Sequence, residues 1–156
     1  MLGWREMSAQ RTTTKGVQYL MTHVMLVGGD VALLEGLAQS LAGVGHRPVV
    51  AATLQDAREV AADSPPLVLI VERSLASSAG AELLRVPIAA GGARLLYRTA
   101  STAPAPLLPA LQRAVLADLT LPLERQRLAA LVQSVGDRAK TTGRAPRHTP
   151  PESRAI

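Results

Sequence analysis

The sequence predicts an α/β fold: a single doubly wound five-stranded parallel sheet with helices on both faces. Three observations predict it. Short runs of consecutive rather than alternating apolar residues mark strands buried on both sides. Stretches with apolar residues at helical spacing separate those runs. Five such strand–helix pairs fit into about 115 of the 156 residues, a length that suits one domain.

The first strand is His23 to Val27, closed by Gly28-Gly29. Asp30 can cap a helix from Val31 to Ala42, where Val31, Leu34, Leu37, Ala38 and Leu41 fall at helical spacing and Gly43 or Gly45 can end it. Arg47 to Ala51 gives a weaker second strand. Thr53-Leu54-Gln55-Asp56 has the spacing of an N-terminal cap for a helix reaching Ala62. Pro65-Pro66 break the chain before Leu67 to Val71, the strongest apolar run and the expected central strand. A polar loop from Arg73 to Ala79 then leads to a short helix at Ala81 to Arg85, and Gly91-Gly92 precede a fourth strand at Arg94 to Arg98. Pro104, Pro106 and Pro109 restrict the next helix to a short, irregular piece around Leu107 to Arg113. Val115 to Leu119 is the fifth strand. Pro122 introduces the last helix, with Leu123, Leu128, Leu131, Val132 and Val135 on one stripe. The domain is thus expected at 23–136, after a flexible extension (1–22) and before a disordered basic tail (137–156) that is rich in Gly, Pro, Thr and Arg and has no apolar periodicity.

The net charge of +5 is unevenly placed. Residues 1–22 carry three cations against one acid, residues 23–136 carry nine against nine, and residues 137–156 carry five against two. A basic chain raises the question of nucleic acid, but the neutral middle gives it no support, so any such contact falls to the tails. The absence of cysteine excludes disulfides, thiolate metal sites and cysteine nucleophiles. No apolar run approaches a membrane span and the N-terminus lacks a signal-peptide core, so a soluble, cytoplasmic protein without membrane insertion is expected.

In open parallel sheets ligands sit beyond the carboxyl ends of the strands. The residues there are Gly28, Gly29 and Asp30 after the first strand, Glu72 after the third, Thr99 after the fourth, and Thr120, Leu121 and Pro122 after the fifth. Gly28-Gly29 lacks the spacing of phosphate-binding loops, and Asp30 reads most simply as a helix cap. His23, His46 and His148 lack metal-ligand spacing, and Ser74, Ser77 and Ser78 form no nucleophile elbow. No enzyme activity, metal or cofactor is expected.

The order of these features resembles the receiver domain of bacterial two-component response regulators, a flavodoxin-like fold, over roughly residues 23–136. Pro66 stands six residues before Glu72, as a proline commonly precedes the family's phosphoacceptor aspartate, and Gly80-Ala81-Glu82-Leu83-Leu84 resembles the start of its third helix. Thr99-Ala100 matches the switch Thr/Ser-Ala pair, and Leu119-Thr120-Leu121-Pro122-Leu123 resembles the end of its fifth strand, where the family has lysine before a cis-proline and an aromatic after it.

The resemblance implies a degenerate pocket. Where the family places two carboxylates for Mg²⁺ this chain has Gly28 and Gly29; Glu72 replaces the aspartate, Leu121 the lysine and Asp118 the switch aromatic. Phosphoryl transfer depends on charge stabilisation by metal and cation, so a pseudo-receiver that takes no phosphate is expected. Glu72 is then either a solvated carboxylate at a strand end or a permanent mimic of the phosphorylated state. Function would shift to the face of the fourth helix, fifth strand and fifth helix, here Leu107, Leu108, Leu111, Asp118, Leu123 and Arg125, docking a protein partner or a second copy of the chain. With about 20 residues after the last helix, no output domain is expected. The alternative is a nucleic-acid-associated regulator acting through its basic tails.

Overall fold

The computed structural model describes residues 22–100 and 106–148. Strands β1 (His23–Val27), β2 (Arg47–Ala51), β3 (Val68–Glu72), β4 (Ala93–Thr99) and β5 (Val115–Leu121) alternate with α1 (Val31–Gly43), α2 (Leu54–Asp63), α3 (Arg73–Ala79) and α4 (Pro109–Ala114). A 3-10 turn (Gly80–Arg85) follows α3, and α5 (Arg125–His148) follows β5. All pairings are parallel, in the order β2-β1-β3-β4-β5. The fold is the doubly wound sheet that the sequence predicts, with β3 at its centre.

The continuous apolar runs have their cause in two cores. Val24, Leu26, Val68 and Ile70 point to the side covered by α1 and α5, while Met25, Val27, Leu69 and Val71 point to the side covered by α2, the 3-10 turn and α4. Both expected caps form: Asp30 Oδ1 accepts the Leu33 N–H at 3.1 Å, and Thr53 Oγ1 accepts the Asp56 N–H at 3.0 Å. Each satisfies a donor that the first helical turn leaves open.

Two expectations need correction. Residues 73–79 form helix α3 rather than a polar loop, directly continuing β3 and anchored by the fully buried Ala76. The short helix expected at Ala81 to Arg85 is present, as a 3-10 helix over Gly80–Arg85. The last helix does not end at Gly136, and residues 137–148, expected to be disordered, are helical. Gly136 is a close-approach glycine rather than a terminator, because a Cβ there would press on Thr22 Oγ1 just before β1. Past it, Gln133 and Lys140 both reach Asp137, and the Thr141 hydroxyl donates to the Asp137 carbonyl. The N-terminal extension to residue 21, Pro104, and residues 149–156 lie outside the described residues. No described helix is long and apolar enough to cross a membrane.

Two histidines brace the sheet's amino-terminal end. His46 is buried with neither ring nitrogen partnered, and His23 leaves Nε2 unpartnered. Desolvation lowers both pKa values from 6.5, with Arg47 adding to the effect at His23 and Asp137 opposing it at His46. A lowered histidine pKa means the unfolded chain binds more protons, so this stability is present above the unfolded value and is lost as pH falls below it. Urea midpoints should therefore drop as pH falls below about 6.5. His46→Leu should flatten that dependence while changing stability near neutral pH by no more than about 1 kcal/mol. An unchanged slope would remove His46 from this account.

Candidate functional site

Past the Val27–Val71 pair, Gly28 and Glu72 continue β1 and β3; Glu72 is opposite Tyr97 of β4, which is opposite Leu119 of β5. Strand alternation turns this row toward the α1 and α5 side. There Tyr97 is 1% exposed and its ring packs into the core. A Cβ added to Gly28 would collide with the Tyr97 hydroxyl and stand 3.2 Å from Glu72 Oε1. The phenol thus occupies the space that a side chain at 28 would need.

That hydroxyl is buried and has no hydrogen-bond partner. Burial pushes its pKa well above the usual 10.0, and the Glu72 and then the Asp30 carboxylates push in the same direction. Glu72 itself is tied on both sides. Its Oε1 accepts the Gly29 N–H at 3.1 Å and its Oε2 accepts the Ser74 hydroxyl at 2.9 Å. The carboxylate therefore links the β1–α1 loop to the first turn of α3.

The remaining pocket residues separate. Asp30 is exposed at the α1 cap, and Thr99 is half-buried opposite Leu121 in the β4–β5 ladder. Leu121 lines no open pocket, contrary to expectation: it is fully buried in the α1 and α5 core with Leu119 and Leu128. The Leu121–Pro122 peptide is cis, as the resemblance implies, and Pro122 is exposed. Just beyond, Glu124 accepts the Thr120 N–H at 2.8 Å and pairs with Arg127 at 3.0 Å. The Thr120 bond first, and then Arg127, hold the Glu124 pKa below its usual range.

The expected interaction face also divides. Leu108 (55% exposed) and Leu123 (77%) face solvent with Arg125, and Leu107 is half-covered. Leu111 belongs to the opposite core, so it is no surface residue; the turn of α4 points it against the sheet. Asp118 pairs with Arg73, whose side chain is largely buried, tying edge strand β5 to the start of α3. Leu116 is also 48% exposed, but at the start of β5, away from this face.

The principal residue that sequence reasoning overlooked is Tyr97. One of only two tyrosines, it stands two positions before Thr99, within reach of the same strand ends. Its place near a strand end was the available signal; nothing in the spacing linked it to Gly28.

These residues do not fit a Mg²⁺ ion, which takes near-octahedral oxygen ligands. Gly28 and Gly29 supply no side-chain oxygen, Tyr97 fills the adjoining space, and Asp30 and Glu72 are already engaged as cap and loop tie. Among the described residues no three His, Asp or Glu side chains converge.

No family model and no curated protein matches the chain. Among solved structures it is similar to the signal receiver domain of a putative LuxO repressor protein from Vibrio parahaemolyticus (19% identity over 80% of this chain and 96% of that one, TM-score 0.60). A response regulator receiver domain protein from Clostridium thermocellum is also similar (15% identity, 78% and 98% covered, TM-score 0.61). So is a putative response regulator from Chloroflexus aurantiacus (20% identity, 75% and 99% covered, TM-score 0.57). The chain has the receiver fold.

Proposed function

We propose that this chain is a pseudo-receiver, a receiver-fold module that works in the cytoplasm by contacting another protein, without phosphoryl transfer and without enzymatic activity of its own. The observation that carries the proposal is the Tyr97 phenol packed where a metal-binding carboxylate at 28 would stand. Phosphoryl transfer rests on positioning and on neutralising charge at the transferred group. Neither a lysine at 121 nor an acid at 28 or 29 is present to do so. Glu72, held by Gly29 and Ser74, serves as a fixed brace between two loops.

Signalling then falls to the surface beside β5. Leu108 and Leu123 are exposed near the carboxyl end of edge strand β5, with Arg125 alongside and the Arg73–Asp118 pair fixing the strand. An apolar centre with charged surroundings is the composition of a protein-docking patch.

Two measurements test this. After incubation with acetyl phosphate and Mg²⁺, intact mass should show no phosphoryl adduct; an adduct that disappears in Glu72→Gln would overturn the proposal. Leu123→Asp and Leu108→Asp should weaken self-association or partner capture by at least about tenfold, the loss of one well-packed apolar anchor. A monomer whose pull-downs are indifferent to both changes would remove the docking face.

A further inference from the structure

A second concavity lies at the opposite end of the sheet, where β4 and β5 begin. In β5 the register shifts between the Arg94–Val115 and Leu95–Ala117 pairs, so Leu116 is an extra residue that spreads the strand start. The cleft there measures about 510 Å³ and is bordered by the Gly91-Gly92 turn, by Arg94 of β4, by Arg113 at the end of α4 and by Arg138 of α5. It exists in this form only because α5 continues past Gly136: Ala139 packs at 3.6 Å from the position of a Cβ on Gly91, which sets the neighbouring Arg138 over the turn.

Among the described residues, three guanidinium groups line this cleft and no acidic side chain does. Asp137, next in sequence, is turned to Gln133 and Lys140 and acts on His46 instead. Arg113 and Arg138 are in no ion pair among the described residues. Arg94 is fixed by donating through Nη2 to the Val86 carbonyl at 3.0 Å and more weakly to that of Leu84, while its buried Nε has no partner. Desolvation lowers the Arg94 pKa, the mark of a cation short of a counter-charge. Three like charges around one concavity repel each other, and an anion between them adds an attraction to each cation that offsets this repulsion.

We propose that this cleft binds a small phosphate-bearing anion, such as a polyphosphate or the phosphate chain of a nucleotide. Guanidinium forks match phosphate oxygens bidentately. The volume falls within the range of small-ligand sites, roughly 300–1,000 Å³. Residues 23–136 are charge-neutral, but α5 beyond them adds Arg138, Lys140, Arg144 and Arg147 against Asp137, so a nucleic-acid backbone is the competing source of phosphate that the test must separate. The site is independent of the pocket at Glu72 and stands whether or not that pocket takes phosphate.

Calorimetric titration of the full chain with inorganic triphosphate at low salt is the test, with a short DNA duplex as the competing source of phosphates. Arg94 variants could lose the loop that Arg94 holds, so the two exposed arginines carry the experiment. Saturable triphosphate binding is expected, weakened at least about tenfold in Arg113→Ala/Arg138→Ala. It should be unchanged in Arg127→Ala, whose arginine pairs with Glu124 outside the cleft. The duplex should not displace the triphosphate. The proposal is overturned by absent saturation, by equal affinity in the double variant, or by a duplex that binds more tightly and displaces triphosphate.

Discussion

Leu121→Lys, which installs the cation that receiver domains carry at this position, is expected to destabilise the fold by about 3–4 kcal/mol. Leu121 is fully buried in the α1 and α5 core, among Leu119, Leu128 and Tyr97. An ammonium there must lose its hydration, give up its proton or force β5 away from α5. Urea unfolding with an unchanged m-value measures the cost, and Leu121→Met, of similar volume and no charge, should lose less than about 1.5 kcal/mol. A lysine variant as stable as the parent would show that the side chain reaches solvent or Glu72, reopening the pocket to an anion.

Gly28→Asp, the matching restoration on β1, should cost about 3 kcal/mol or more. The new Cβ collides with the Tyr97 hydroxyl, and the new carboxylate is buried beside Glu72, so steric and like-charge terms add. The two terms separate in a double-mutant cycle. Gly28→Ala carries only the steric part, about 1–2 kcal/mol, and in a Tyr97→Leu background most of that cost should vanish, leaving a coupling of at least about 1 kcal/mol. Additive effects would show that Tyr97 does not fill the space in solution.

The fold was legible because its signals are local and redundant. Val24 to Val27 and Leu67 to Val71 could only be strands buried on both faces, and Asp30 and Thr53 announced their helices through chemistry that acts within one turn. Residues 73–79 escaped because Arg73, Ser74, Ser77 and Ser78 leave no apolar stripe in the sequence, although Ala76 is fully buried. Residues 137–148 escaped because their Gly, Thr and Arg content carries no apolar stripe, although the chain continues as helix past the close approach of Gly136 to Thr22. The candidate site was legible as a set of missing groups. What fills it was not, since Tyr97 meets Gly28 across 69 positions of sequence, and no spacing rule connects an aromatic on one strand to a missing side chain on another. Leu121 illustrates the same limit: its identity shows that no cation is present, but only the packing shows that it has joined the core.

The interlock of Gly28 with Tyr97 also orders the routes open through sequence space. From a pocket with an acid at 28, glycine must arrive before tyrosine, since the reverse order passes through a chain that holds both groups in one volume. Going back, the tyrosine must leave first, and its departure empties a core position whose loss costs about 3–5 kcal/mol for a large aromatic truncated to alanine. Neither single step toward an acid at 28 is neutral, so such an acid is tolerated only when position 97 changes as well.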